Sequence, residues 1–254
     1  MIHFFFLGIL EGLTEFLPVS STAHLVLYNY FTGFDLSSPY IKTFEIAIQL
    51  GSVLAVIFYY HTEFLKIKTI KLLAVSVLPT IIMGLILKDF VDTLLELPIL
   101  IAINLILGGI IILIAEHIYK NKKTPKLKTI HYKEGAMLGF IQSLSMMPGV
   151  SRSGTVIVYG LFKNFDREVI AKFTFLLAVP TMGAATTYSI ISNHGIILSG
   201  DNFQNLAVGF TTAFLVALLV VRYALPFIKR YSFVPFGIYR IILGIVVLGT
   251  IYFN

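Results

Sequence analysis

The sequence predicts an all-α integral membrane protein, with six transmembrane helices and two re-entrant helical hairpins arranged as an inverted-topology repeat. Three observations support this fold class: the composition, a set of long apolar runs, and an internal repeat. Of the 254 residues, 57% are hydrophobic and only 13% are charged, whereas a soluble domain carries about 25% charged residues. The apolar runs are continuous, while an outer-membrane barrel would show short alternating segments.

Six apolar segments are long enough to span a bilayer. They cover residues 42–60, 70–88, 98–118, 168–191, 205–222 and 234–253. A helix needs about 20 predominantly apolar residues to cross the hydrocarbon core. We therefore expect six transmembrane helices, which makes the chain a multi-pass protein of the cell membrane.

Two further apolar regions are interrupted, and their arms are too short to span alone. The first is apolar over 2–17 and 23–34 with a break at 18–22, and the second over 135–147 and 155–162 with a break at 148–154. Proline, glycine and a series of hydroxyl residues predict the end of one helix and the start of another. Irregular backbone at membrane depth is tolerated only where protein covers it or where it lines a wet cavity. Both regions are therefore expected to be re-entrant hairpins.

The order of segments occurs twice along the chain. A shift of 131 residues aligns Gly8 with Gly139 and Ser20 with Ser151, and Ile106-Leu107-Gly108 parallels Ile242-Leu243-Gly244. We expect a single membrane domain over 1–254, formed by a first repeat (1–118), a basic linker (119–133) and a second repeat (134–254). Each repeat contains one hairpin and three spans, and because three is odd, the repeats are expected to be inverted relative to each other.

The distribution of lysine and arginine predicts the orientation in the membrane. In this topology fifteen of the 19 Lys and Arg residues fall on one side, and only Lys42 and Lys88 fall on the other. The positive-inside rule makes the basic side the cytoplasm, so both termini are expected outside. Topology thus explains the net charge of +6, and no nucleic-acid partner is expected. The basic linker is expected to be solvated, and anionic membrane lipids are a second partner that it can contact.

Ionisable residues within the two hairpins are the first candidates for function. A charge inside a bilayer costs at least about 2.5–3.5 kcal/mol, yet the first hairpin contains Glu11, Glu15 and His24 and the second contains Arg152. The two glutamates are four residues apart, which places both carboxylates on one face of a helix. Neighbouring carboxylates need a shared proton, a cation or a nearby base. A functional site is therefore favoured over a purely structural pairing with Arg152.

Hydroxyl residues follow both breaks, at the positions where new helices are expected to begin. They are Ser20, Ser21 and Thr22 after the first break, and Ser151, Ser153 and Thr155 around the second. A helix N-terminus offers unpaired N–H groups and a positive dipole, and is therefore suited to binding an anion. Arg152 adds a planar, two-pronged donor that matches phosphate oxygens. Two such helix ends meeting at the midplane predict a phosphate site, to which Glu45 and Gln49 of the first span can also contribute.

These motifs resemble the signatures of the undecaprenyl-diphosphatase family, whose members are also called bacitracin-resistance proteins. The resemblance lies in EGLTEFLPVSSTAHL at 11–25 and PGVSRSGTVI at 148–157, and it extends through FEIAIQLGSVLAV at 44–56, FTFLLAVPT at 173–181 and FVPFGIYR at 233–240. One departure is Ala23, where the family more often has glycine. The resemblance implies the same six spans and two hairpins. It also implies removal of the terminal phosphate from a C55 polyprenyl diphosphate, which yields the carrier lipid for cell-envelope glycans.

The resemblance also implies individual roles. Catalytic residues are expected to be Glu11, Glu15, Ser21, His24 and Arg152, and substrate-binding residues Ser20, Thr22, Ser151, Ser153 and Thr155. Glu11 and Glu15 are further expected to bind a divalent cation, Mg²⁺ or Ca²⁺, because hard cations prefer oxygen ligands. Ser21 is the favoured nucleophile, with His24 or a glutamate as its base. Water activated by a glutamate is the alternative.

A secondary transporter or lipid flippase is the main alternative function, because inverted repeats with broken helices at the midplane are also typical of transporters. The density of hydroxyls, carboxylates and an arginine at the breaks favours phosphoryl transfer. The active site is expected to open on the outer face. The sequence determines neither the prenyl length nor the metal, and it leaves open whether two copies form a homodimer.

Overall fold

The structure is a computed structural model that describes residues 1–35, 38–94, 97–192 and 201–253. Over these ranges the secondary structure is helical, apart from an isolated bridge between Leu127 and Phe165. The predicted all-α class is confirmed.

Short helices occupy the two interrupted regions, and long helices occupy the continuous ones. The short helices are α1 (Ile2–Thr14), α2 (Ser21–Thr32), α4 (His61–Phe64), α7 (Tyr132–Gln142) and α8 (Arg152–Phe162), with a 3₁₀ turn over Ser143–Met146. The long helices are α3 (Pro39–Tyr59), α5 (Ile67–Leu94), α6 (Pro98–Asn121), α9 (Arg167–Ser192), α10 (Asp201–Tyr231) and α11 (Val234–Phe253).

Each of the six long helices contains a segment long and apolar enough to cross a membrane. The segments are Pro39–Tyr59, Ile67–Leu87, Pro98–Asn121, Arg167–Thr187, Asn202–Tyr231 and Val234–Phe253. Large apolar side chains such as Leu85, Leu107 and Ile242 are exposed on these helices, as expected of surfaces that face lipid. The six predicted spans are confirmed, and the protein has the helices of a multi-pass membrane protein.

The first short helix of each half packs against a long helix of the other half. Helix α1 packs on α10, where a Cβ added to Gly8 would lie only 2.5 Å from the carbonyl oxygen of Gly209. Helix α7 packs on α5, where a Cβ on Gly139 would overlap the carbonyl oxygen of Ser76. Small residues thus let the backbones of the two halves approach closely. The two halves interleave, while the re-entrant path and the inversion of the repeats stay predictions.

The basic linker is exposed along much of its length, but it is fixed at one point. The main chain of Leu127 exchanges hydrogen bonds of 2.9 Å with Asn164 and Asp166 in the connection between α8 and α9. The side-chain amide of Asn164 donates to the carbonyl of Pro125 (3.0 Å), and the ammonium of Lys126 donates to Asn164 Oδ1 (2.8 Å). The linker is therefore held against the second half rather than being free throughout.

Candidate active site

Each helix break ends in a serine with a left-handed backbone. Ser20 has φ 71° and Ser151 has φ 78°, a conformation that is uncommon and costly for a non-glycine residue. Each hydroxyl oxygen caps the helix that follows: Ser20 Oγ accepts from the N–H of Ala23 (3.4 Å), and Ser151 Oγ accepts from the N–H of Gly154 (3.1 Å). The two serines aligned by the 131-residue shift thus share one local structure, and the next residue begins a helix in both cases.

A cavity of about 160 Å³ lies between the two breaks. Its polar lining includes Glu15, Ser20, Ser21, Thr22, Gln49, Ser145, Ser151 and Arg152. Its apolar lining includes Met146, Met147 and Met182, which are three of the six methionines in the chain. Methionine is flexible and adapts to irregular apolar groups. The cavity therefore suits a molecule with an anionic head and a hydrocarbon chain.

Glu15 connects the two halves of the site. Its Oε2 accepts a 2.5 Å hydrogen bond from Ser21 Oγ, and its Oε1 accepts a 2.6 Å bond from Nη2 of Arg152. The side chains of Glu15 and Arg152 are only 4% and 11% exposed, so water screens their attraction weakly. A continuous chain of hydrogen bonds, Ser21–Glu15–Arg152, thus joins residues that lie more than 130 positions apart.

The guanidinium of Arg152 is hydrogen-bonded through its two terminal nitrogens and has one buried N–H group without a partner among the described residues. Its Nη1 donates to the main-chain carbonyl of Thr174 (3.0 Å). Its Nε is buried and has no hydrogen-bond partner among the described residues. A buried donor without a partner is costly.

Glu11 lies behind Glu15 and does not line the cavity. Both of its carboxylate oxygens are buried, and within the part of the chain that the structure describes neither has a hydrogen-bond partner of normal geometry. Its nearest interacting groups are Glu15 and the hydroxyl of Ser52. Adjacent carboxyl groups need a proton or a cation between them, which agrees with the shared role predicted for the pair.

His24 is placed away from Ser21. Its Nδ1 lies 2.8 Å from the carbonyl oxygen of Ser20, which can only accept, so the ring donates there and accepts at Nε2 from the hydroxyl of Tyr239 (2.6 Å). The two rings also stack, with their centroids 5.7 Å apart. Of the two bases that the sequence leaves open, the structure therefore brings a glutamate, Glu15, to the Ser21 hydroxyl.

The predicted substrate-binding residues divide into two groups. Three of the five line the cavity, namely Ser20, Thr22 and Ser151. The other two do not: Ser153 donates to the carbonyl of Leu17 in the first break (2.8 Å), and Thr155 donates to the carbonyl of Arg152 in its own helix (2.9 Å). The Ser153 hydroxyl thus bonds to the other half of the chain and the Thr155 hydroxyl to its own helix, while the predicted contact of both with substrate stays a prediction.

Only one of the two polar residues of the first span reaches the cavity. Gln49 lines it, whereas Glu45 accepts a 2.7 Å hydrogen bond from the side chain of the buried Asn29. The Glu45 carboxylate therefore binds Asn29 and does not line the cavity.

The sequence reasoning missed an arginine that lies behind both breaks. Arg240 is fully buried, and its guanidinium donates to five main-chain carbonyls, those of Pro18, Asn104, Leu105, Gly149 and Val150. The signal was present in the sequence, because this arginine interrupts the apolar run 234–253 where a charge is costly.

Known proteins provide an independent comparison. A sequence profile described as bacitracin resistance protein BacA matches residues 4–246. The chain is 48% identical to an undecaprenyl-diphosphatase of Wolinella succinogenes, over 97% of this chain and 96% of that protein. It is 44% identical to the undecaprenyl-diphosphatase of a Sulfurihydrogenibium species, over 94% of both chains, and 42% identical to that of Methanococcus aeolicus, over 95% of both. Since these matches run along nearly the whole length of each protein, the chain belongs to the bacitracin resistance protein BacA family.

Proposed function

We infer that the protein hydrolyses undecaprenyl diphosphate to undecaprenyl phosphate and inorganic phosphate, and so recycles the lipid carrier of cell-envelope glycan synthesis. Its similarity to undecaprenyl-diphosphatases along nearly the whole chain supports this function. The observation that carries it is the bonded chain Ser21–Glu15–Arg152 at a cavity lined by both polar residues and methionines. The comparisons do not support the transporter or flippase alternative.

The cavity suggests how the substrate binds. The diphosphate lies against the polar residues of the cavity. The helices that begin at Ser21 and Arg152 offer it their first N–H groups. The guanidinium of Arg152, which lines the cavity, donates to phosphate oxygens. The first isoprene units pass the methionines, and the rest of the tail lies in the surrounding lipid.

Ser21 is proposed as the nucleophile and Glu15 as its base. The Ser21 oxygen attacks the terminal phosphorus, its proton passes to Oε2 of Glu15, and the bond from that phosphorus to the bridging oxygen breaks. Undecaprenyl phosphate leaves with the bridging oxygen. Glu15 then passes its proton to solvent. A water attacks the phosphorus of the phosphoserine and gives a proton to Glu15, the bond from that phosphorus to Ser21 Oγ breaks, Oγ takes the proton from Glu15, and inorganic phosphate is released. Direct attack by water that Glu15 activates is the alternative.

Arg152 is proposed to bind the substrate while it keeps its contact with Glu15. In the structure its Nη2 neutralises the Glu15 carboxylate. When the diphosphate enters, the guanidinium also contacts the phosphate oxygens, on which negative charge shifts as the bond breaks.

The carboxylates fit a divalent cation that binds together with the substrate. Among the residues that the structure describes, no group of three or more His, Asp or Glu side chains is arranged to hold a metal ion. Mg²⁺ is, however, commonly bound by one or two carboxylates together with the phosphate oxygens of a substrate. Glu15, with Glu11 behind it, would hold such an ion, which would supply neutralisation of the diphosphate charge.

The proposed function can be tested by measuring phosphate release from undecaprenyl diphosphate in detergent. We expect the purified wild-type protein to release phosphate, and Ser21→Ala to be slower by about 10³-fold or more, equivalent to roughly 4 kcal/mol of the barrier. Thr32→Ala, at the other end of α2, is the matched control and should keep the wild-type rate. An inactive wild type would refute the function, and a nearly normal rate in Ser21→Ala would favour activated water as the nucleophile.

The orientation of the protein is also a proposal. The concentration of Lys and Arg at one set of helix ends supports a linker in the cytoplasm, with both termini and the mouth of the active site outside. The substrate is then hydrolysed at the outer face of the membrane.

A further inference from the structure

Arg240 lies at the point where the two breaks meet. Its Nη1 donates to the carbonyls of Pro18 (3.2 Å) and Val150 (3.0 Å), and its Nη2 donates to those of Gly149 (2.8 Å) and Asn104 (3.0 Å). Its Nε donates to the carbonyl of Leu105 (3.3 Å). All three nitrogens are thus used, and no carboxylate binds the guanidinium within the described ranges.

The partners of Arg240 are related by the internal repeat. Pro18 and Gly149 occupy equivalent positions under the 131-residue shift, so one guanidinium binds the same carbonyl in both breaks. Arg240 is itself equivalent to Asn104 when the ends of the two halves are aligned. The side chain of Asn104 donates to the carbonyl of Pro148 (2.8 Å). Equivalent residues of α6 and α11 therefore both bind the breaks.

These carbonyls need donors. Pro18, Gly149 and Val150 lie in irregular backbone outside the helices, where no helical N–H reaches their carbonyls, and a buried carbonyl without a donor is costly. In each break the carbonyls bound by Arg240 belong to residues one or two positions before the capping serine, Ser20 or Ser151. The guanidinium therefore fixes the backbone from which the next helix, and the reactive side chain at its start, is placed.

We propose that Arg240 is a positioning residue of the hydrolysis, which sets the separation of the two breaks and thereby the contact of Ser21, Glu15 and Arg152. Arg240 does not line the cavity, so it acts through the backbone and not on the substrate. This inference rests on the proposed function.

Gly108 offers a way to move the guanidinium without removing its charge. A Cβ added at Gly108 would overlap Nη2 of Arg240, so Gly108→Ala should displace the group that binds Gly149. Gly249 lies on α11, and a Cβ added there meets nothing within 4 Å. Gly249→Ala is therefore the matched control.

The test compares the kinetics of undecaprenyl diphosphate hydrolysis in Arg240→Lys, Arg240→Met, Gly108→Ala and Gly249→Ala, at a temperature where thermal unfolding shows each protein to be folded. We expect kcat to fall about 10²-fold in Arg240→Met and Gly108→Ala, as a misplacement of about 1 Å would cause. Arg240→Lys should recover part of the loss, KM should change by less than about threefold, and Gly249→Ala should match the wild type. A normal kcat in folded Arg240→Met and Gly108→Ala would overturn the proposal.

A double-mutant cycle separates positioning from general stability. If Arg240 acts by positioning Arg152 and Ser21, Arg240→Met should cost much less in an Arg152→Lys background than in the wild type, because the effects of coupled residues do not add. Losses that multiply would overturn the proposal. If all three Arg240 and Gly108 variants fail to fold while Gly249→Ala folds, the arginine serves folding alone and the proposal is wrong. An inactive wild type would instead refute the proposed function itself.

Discussion

Arg152→Lys tests the role of the second break in the reaction, because it keeps the charge and removes the fork. Nη2 of Arg152 donates to Glu15 (2.6 Å) and Nη1 donates to the carbonyl of Thr174 (3.0 Å), while Nε has no partner among the described residues. A lysine has one nitrogen in place of three at this position. It can keep the contact with Glu15 or reach the phosphate, but it cannot do both from the same place.

The expected loss follows from these contacts. A hydrogen bond to a charged group contributes about 1.5–3 kcal/mol, so the loss of one or two in the transition state lowers the rate by about 10²-fold or more. Arg152→Ala should be at least as slow. It also leaves Glu15 buried without its partner, which typically costs about 3–5 kcal/mol of stability.

The assay is phosphate release from undecaprenyl diphosphate at saturating substrate, with thermal unfolding measured in parallel. Arg222→Lys on α10, at an exposed position outside the cavity, is the matched control and should be fully active. A fully active Arg152→Lys protein would refute the reasoning, because it would show that the planar fork is not used.

The remaining predictions concern the carboxylates, the cation and the topology. Glu15→Gln should lower turnover by about 10²–10⁴-fold through loss of the base, and Glu11→Gln should also lower turnover strongly. Near-normal rates in both variants at normal expression would contradict the catalytic role of the two glutamates. Exhaustive chelation should abolish activity and Mg²⁺ or Ca²⁺ should restore it, whereas full activity after chelation would remove the cation from the account. The chain has no cysteine of its own. A cysteine placed at Asn121 should not react with an impermeant thiol reagent added to intact cells, but should react after lysis. Labelling in intact cells would contradict the predicted topology.

The breaks and the residues nearest to them could be predicted from the sequence because their signals are local. Proline and glycine followed by hydroxyls mark where one helix ends and another begins, and the structure starts new helices at Ser21 and Arg152. The i, i+4 spacing of Glu11 and Glu15 placed both on one face. It could not show that the cavity reaches only Glu15, because that depth depends on how α1 packs against α10 and α3.

The other residues depend on partners that are distant in sequence. His24 is one of the two bases that the sequence leaves open for Ser21, but its ring binds Tyr239, which is 215 residues away. Ser153 lies beside Ser151 in sequence, yet its hydroxyl is bound by the carbonyl of Leu17 in the other half. Arg240 stands in a long apolar span, and only the folded structure shows that its acceptors are main-chain carbonyls.

The central claim is that the two breaks, one from each half of the chain, form a single phosphatase site. The most direct test is a double-mutant cycle of Ser21→Ala and Arg152→Lys, measured as phosphate release from undecaprenyl diphosphate by purified protein. Residues that act as one unit are strongly non-additive, so we predict that the double variant is about as slow as the slower single variant. Losses that multiply, in proteins that are folded, would show that Ser21 and Arg152 act independently and would contradict the account.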